Sequence, residues 1–118
     1  MALFSKVLLS GSTNGKGILI TGTTSGSATT IHTACSGTAN MDEIWIYLVN
    51  QEATEEILTT VQFGSDATAD EIAVSVPAAA GLQFVVPGLV LNNSNIVKAF
   101  AATGSKVVAH GFVNRITE

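Results

Sequence analysis

Charge is what this chain has least of. Asp, Glu, Lys and Arg make up 12% of its 118 residues, about half the ~25% usual in soluble domains, while apolar residues reach 47%. A monomer normally keeps its exposed charge high and its apolar patches small. The shortage predicts a surface partly committed to subunit contacts. Basic residues are fewer still: Lys6, Lys16, Lys98, Lys106 and Arg115 stand singly, against a net charge of −4. A surface that tracks phosphates needs clustered Lys and Arg, so nucleic acid is not expected as a partner. The single cysteine, Cys35, excludes an internal disulfide. No apolar run approaches the ~20 residues of a membrane-spanning helix, so no membrane partner is expected. The apolar run within residues 1–10 is too short for a secretory signal, which predicts synthesis in the cytoplasm. A chain of 118 residues fits one domain and buries enough surface for a core without disulfides or metals.

What is present is organised around residues 42–50, Asp-Glu-Ile-Trp-Ile-Tyr-Leu-Val-Asn. Two acids open this run and an amide closes it, and the β-branched and aromatic residues between them favour a strand. Alternation puts Ile44, Ile46 and Leu48 on one face and Trp45, Tyr47 and Val49 on the other. Neither face is polar. Such a strand needs cover on both sides, and in a chain this short a second copy of the protein is a natural source of the second cover.

The remaining segments are short and extended. Strands are expected at 18–20, 29–35, 57–63, 72–76, 82–86, 96–102 and 106–116, with residues 4–9 either a short first strand or an arm laid on a neighbour and 89–91 a brief strand at most. Turns are expected at Asn14-Gly15, suited to positive φ, at Pro87-Gly88, at 92–95, and at 103–105, where the last two strands would form a hairpin. Pro77 ends its strand by removing an amide donor. In residues 29–35 alternation separates Ile31 from His32 and His32 from Cys35. Eight or nine short strands at intervals of ~8 to 12 residues predict an all-β, single-domain sandwich or barrel spanning 1–118, with a short N-terminal arm over about residues 1–10.

Catalytic, metal and cofactor motifs fail one by one. Residues 10–17 lack both anchors of a phosphate-binding loop, with Ser10 in place of its first glycine and Gly17 in place of its hydroxyl. His32 and Cys35 diverge on a strand, which breaks both a thiol–imidazole pair and a two-ligand metal site. His110 stands alone in an apolar run. A zinc site would need His32 and His110 to meet a third ligand. The adjacent pairs Asp42/Glu43 and Glu55/Glu56 diverge where a glycosidase pair must converge. Asp66, Asp70 and Glu71 lack EF-hand spacing and read as a solvated loop. Ser25 misses the nucleophile-elbow spacing, and the sequon at 92–94 means nothing without secretion. Neither an enzyme nor a cofactor is expected.

Several strings have a recognisable texture: Thr-Thr-Ile-His-Thr-Ala at 29–34, Asp-Glu-Ile-Trp-Ile-Tyr at 42–47, Val-Pro-Gly-Leu-Val-Leu-Asn at 86–92, Lys-Ala-Phe-Ala-Ala at 98–102 and His-Gly-Phe-Val-Asn-Arg-Ile at 110–116. Together they resemble small virion proteins of tailed bacteriophages, over most of the chain. The resemblance implies a jelly-roll-like β-sandwich or small barrel, a location in the virion, and a homo-oligomer, as a trimer, on the capsid shell. It fits a capsid decoration (cement) protein that clamps the major capsid protein, and equally a neck or tail adaptor or collar.

The expected mechanism is mechanical: apolar burial at ~25 cal/mol per Å² across subunit seams, multiplied by avidity. Trp45 and Phe112 are the expected core anchors. The expected contact surface is the N-terminal arm, with Leu3, Phe4, Val7, Leu8 and Leu9, together with the loop carrying Pro77, Gly81 and Leu82, whose small residues allow close approach. A carbohydrate-binding sandwich using Trp45 or Tyr47 as a stacking platform is the alternative from another class.

Overall fold

The computed structural model describes residues 2–118; Met1, the first residue of the expected arm, lies outside them. Nine strands run in chain order: β1 (Leu3–Leu8), β2 (Ile18–Ile20), β3 (Thr29–Thr33), β4 (Met41–Asn50), β5 (Ile57–Gly64), β6 (Glu71–Val76), β7 (Gln83–Leu91), β8 (Ile96–Ala101) and β9 (Val107–Thr117). The only helical pieces among the described residues are two 3-10 turns, Ser25–Ser27 and Thr68–Asp70. One sheet has the order β1-β9-β4-β7, with β2 also on β9, and the other β3-β8-β5-β6. The two pack face to face as a sandwich, not a closed barrel.

The pairing is nested. β1 and β2 lie end to end along β9, so they act as one interrupted strand. Then β3 pairs β8, β4 pairs β7 and β5 pairs β6, all antiparallel. This is one long double-stranded ribbon, rolled so that β9 meets β4 and β8 meets β5. Such a ribbon is the doubled Greek key of a jelly roll.

Alternation explains the core. Ile44, Ile46 and Leu48 of β4 are all but inaccessible, as are Val107, Ala109 and Val113 of β9. They face Ile31, Ile57, Val61, Val76, Val97, Ala99 and Ala101 of the other sheet. Because β8 and β9 contribute facing sets, they lie in different sheets rather than in the hairpin expected for them; residues 103–105 cross the layers instead.

Two bulges overturn local expectations. Pro87-Gly88 is not a turn but part of β7. Ile44 pairs Leu89 and Trp45 pairs Pro87, which leaves Gly88 as the extra residue at φ 77°. A glycine with positive φ at a bulge and a proline on an edge strand are tolerated together there. In β3 the register shifts between Thr30 and His32, so Ile31 and His32 are both buried, where strict alternation would have parted them. Asn14 and Gly15 do take the expected positive φ, 56° and 81°.

Candidate functional site

The strand at the centre of the five-stranded sheet is sealed at both ends by buried polar side chains. Asn50, which closes β4, donates from Nδ2 to the carbonyls of Glu55 (2.8 Å) and Val76 (3.0 Å), and its Oδ1 accepts from the Glu52 N–H. Asp42, near the start of β4, is wholly buried. It accepts Arg115 Nε at 2.7 Å and Nη2 at 2.9 Å, a bidentate pair across β4 and β9. It also accepts from His32 Nε2 at 2.8 Å and from the Cys35 N–H at 3.2 Å. His32 Nδ1 accepts the Ser10 N–H at 3.0 Å. That bond assigns the ring proton to Nε2, so the ring is a neutral donor toward Asp42. One carboxylate thus ties both sheets and the β1–β2 loop.

Burial acts to raise the Asp42 carboxyl, but the Arg115 guanidinium and then the His32 ring outweigh it and hold the group at about 2, from an ordinary 3.8. The depressed folded value means the stabilisation is fully present above pH ~4 and is lost as pH falls through about 2. The difference corresponds to about 2 kcal/mol. Urea midpoints should therefore drop between pH 5 and pH 2 in the native protein, and less so in a variant without Asp42. Burial and then the neighbouring Asp42 push the Cys35 thiol up, which leaves it a poor nucleophile near neutral pH.

His32 and Cys35, separated by alternation, thus meet at Asp42, because the β3 bulge turns His32 inward. His110 is half-buried and pairs with Tyr47, which points outward, so it lies on the outer face of the five-stranded sheet, whereas His32, from the four-stranded sheet, points into the sandwich. Asp42 points in and Glu43 out, as neighbours on a strand should. Among the described residues no three His, Cys, Asp or Glu side chains are grouped to hold a metal ion.

The outer face of the five-stranded sheet carries the feature that most departs from an ordinary sandwich, in which outward positions are polar. Trp45 and Tyr47 of β4, Phe84 of β7 and Phe112 of β9 form one row. Phe84 stacks on Tyr47 with centroids 4.9 Å apart and on Trp45 at 5.7 Å, and Trp45 stacks on Phe112 at 6.0 Å. Lys6 Nζ caps Phe112 at 4.5 Å from its centroid. Trp45 Nε1 donates to Glu43 Oε1 at 2.7 Å, which also accepts from Asn114 at 3.0 Å. Asn114 first and Trp45 second hold Glu43 below the usual carboxylate range. Gly88 makes room for the indole: a Cβ there would lie 2.7 Å from Trp45 Cζ2.

Register extends this face to both edges. Leu8 stands opposite Phe112 and Phe4 opposite Ile116, and Val90 stands opposite Glu43. Phe4 is 75% exposed, and Phe84 and Val90 each 53%. Met41 and Val90 border a shallow hollow of about 190 Å³.

Trp45 and Phe112 are therefore not core anchors. They are half-buried members of the outer row, because the inward set of β4 starts at Asp42 and that of β9 includes Val113. The N-terminal segment is edge strand β1, paired to β9 from Leu3 to Leu8, rather than an arm laid on a neighbour. Of its expected contact residues, Leu3, Phe4 and Leu8 are exposed, whereas Leu9 is 3% exposed within the core and Val7 packs against that core. Pro77, Gly81 and Leu82 are exposed, but they follow β6 near Asn50, at the opposite end of the sandwich from Leu3. A greasy second face on residues 44–49 was the sequence signal for the row; Phe84 carried no such signal until β7 placed it beside Tyr47.

No protein-family model matches the chain, and no curated protein and no solved structure shows significant similarity to it.

Proposed function

We propose that the protein is a structural subunit of a particle, a capsid decoration protein of a tailed bacteriophage that self-associates and clamps neighbouring shell subunits through the outer face of its five-stranded sheet. The observation that carries this reading is the aromatic row with Phe4, Leu8, Met41 and Val90 around it. A contiguous apolar face of this kind marks a contact surface. The resemblance of residues 29–34, 42–47, 86–92, 98–102 and 110–116 to small virion proteins supplies the setting. A jelly roll is one of the architectures of viral shells, though it also serves lectins and cupins.

The face suits mechanical work. Its aromatic residues offer large apolar area at low entropic cost, and interface cores are enriched in them. A specific contact buries ~1,600 Å² in total, and repetition over a shell converts moderate contacts into tight occupancy. Stacking on the row itself weighs against a glycan platform: Phe84 lies against Tyr47 and Trp45, and Phe112 lies between Trp45 and Lys6. The ring faces that a sugar would use are largely taken.

The test is a double substitution, Phe4→Asp with Phe84→Asp. Both side chains are more than half exposed, so folding should survive. Deleting β1 instead would also strip β9 of a partner strand. Native mass measurement should show an oligomer for the native chain, a trimer if it decorates a shell, and a monomer for the variant, with occupancy on purified particles falling by at least an order of magnitude. A native chain that stays monomeric at millimolar concentration and leaves particles bare would remove the basis for this reading. Sixfold or twelvefold rings would move it to the neck or tail.

A further inference from the structure

The outer face of the four-stranded sheet holds a cavity of about 280 Å³ that the contact face does not use. It forms because residues 21–28 arch over that sheet and set Ser25 above Gln62 of β5. Gln62 and Lys98 are direct neighbours across β5 and β8, both on the outward register. The rims come from two turns, one with Gly64, Ser65 and Asp66, the other with Ser94 and Asn95.

Gln62 is 2% exposed although it points away from the core. Its Nε2 donates to Ser25 Oγ at 2.7 Å. No enclosed side-chain nitrogen or oxygen lacks a partner among the described residues, so the Gln62 Oε1, for which no protein donor is found, is not enclosed, and Gln62 lines the cavity. Lys98 is one of five basic residues in the chain and makes no ion pair among the described residues. Lys98 is half-buried, and its ammonium, with no carboxylate among the described residues within ion-pair distance, is set to receive one from a ligand. Ile96 is the one apolar side chain in the lining, which excludes a lipid or aromatic guest. The volume lies just under the ~300 Å³ where pockets for drug-sized molecules begin.

We infer that this cavity is a binding site for a small polyhydroxylated carboxylate, a sugar acid of monosaccharide size. Lys98 takes the carboxylate, Gln62 Oε1 accepts from one hydroxyl, and Ser25, Asp66 and Asn95 meet the others. The site is independent of the aromatic face, and neither depends on the other.

The test is amide-resolved NMR titration of the full chain with sodium glucuronate, glucose and acetate, each to about 20 mM, since a ligand of this size binds on the order of 1 mM. Glucuronate should shift the amides of Gln62, Gly64, Ser65 and residues 94–98. Lys98→Met should weaken it about tenfold or more, the loss of one charge-assisted contact, with the remaining resonances unmoved because Lys98 is not in the core. Ser25→Ala should weaken it less. Equal shifts from acetate would reduce the site to a general anion trap and overturn the assignment. Equal binding of glucose would overturn the role of Lys98, and no shift at these residues would overturn the site itself.

Discussion

Asp42→Ala is expected to cost ~3 to 5 kcal/mol of folding stability, the range for breaking a buried ion pair by removing one partner. Removal leaves the Arg115 guanidinium, held now at 2.7 and 2.9 Å, without its carboxylate. It also leaves the His32 N–H and the Cys35 N–H without their acceptor. The loss is not confined to β4, because the same carboxylate joins β9 of its own sheet to β3 of the other. Urea unfolding at pH 7 measures it. Arg115→Met should cost markedly less in the Asp42→Ala background than in the native chain, since half of the pair is already gone. Additive costs, or a cost below ~1 kcal/mol for Asp42→Ala, would show that the cluster does not hold the sheets together.

Gly111→Ala should be nearly as damaging, although it adds a single methyl group. Gly111 of β9 stands opposite Ile46, and a Cβ there would lie 2.0 Å from the Trp45 carbonyl oxygen. The clash is with backbone in the most buried strand of the sheet, so no side chain can swing aside. Either β9 moves off β4 or the ladder distorts, and the cost should reach or pass the upper end of the ~1 to 3 kcal/mol typical of overpacking. Gly26→Ala is the control. A Cβ at Gly26 meets nothing within 4 Å, and its change should stay within ~0.5 kcal/mol. Thermal unfolding of the two variants should differ clearly. Equal melting temperatures would mean that β4 and β9 are not held as closely as described.

The two residues also show where a linear reading stops. Asp42 could be seen to open a strand, but its burial follows from Arg115 lying directly across from it, 73 positions away in the chain. Gly111 sits in a run of apolar residues, where an interior strand glycine often marks a close approach of two backbones. Which backbone approaches depends on β4 being the neighbour. Trp45 reads as a core residue because it is the largest apolar side chain in the greasiest strand. It lies outside because Asp42 and Asn50 are both turned inward, and alternation between them leaves Trp45 no choice. His32 shows the opposite failure, since alternation is the right rule until a single extra residue in β3 breaks it.

Taken alone, the chain determined that it would be all-β, because short β-branched runs separated by Gly, Ser, Asn and Pro turns permit little else, and that both faces of the central strand would be apolar. Only the tertiary structure decided which strands share a sheet, that Phe84, Phe112 and Phe4 join Trp45 on one outer surface, and that Asp42, Arg115 and His32 meet. Periodicity along a strand is a local property of the backbone, whereas pairing and layering depend on which distant faces bury one another best.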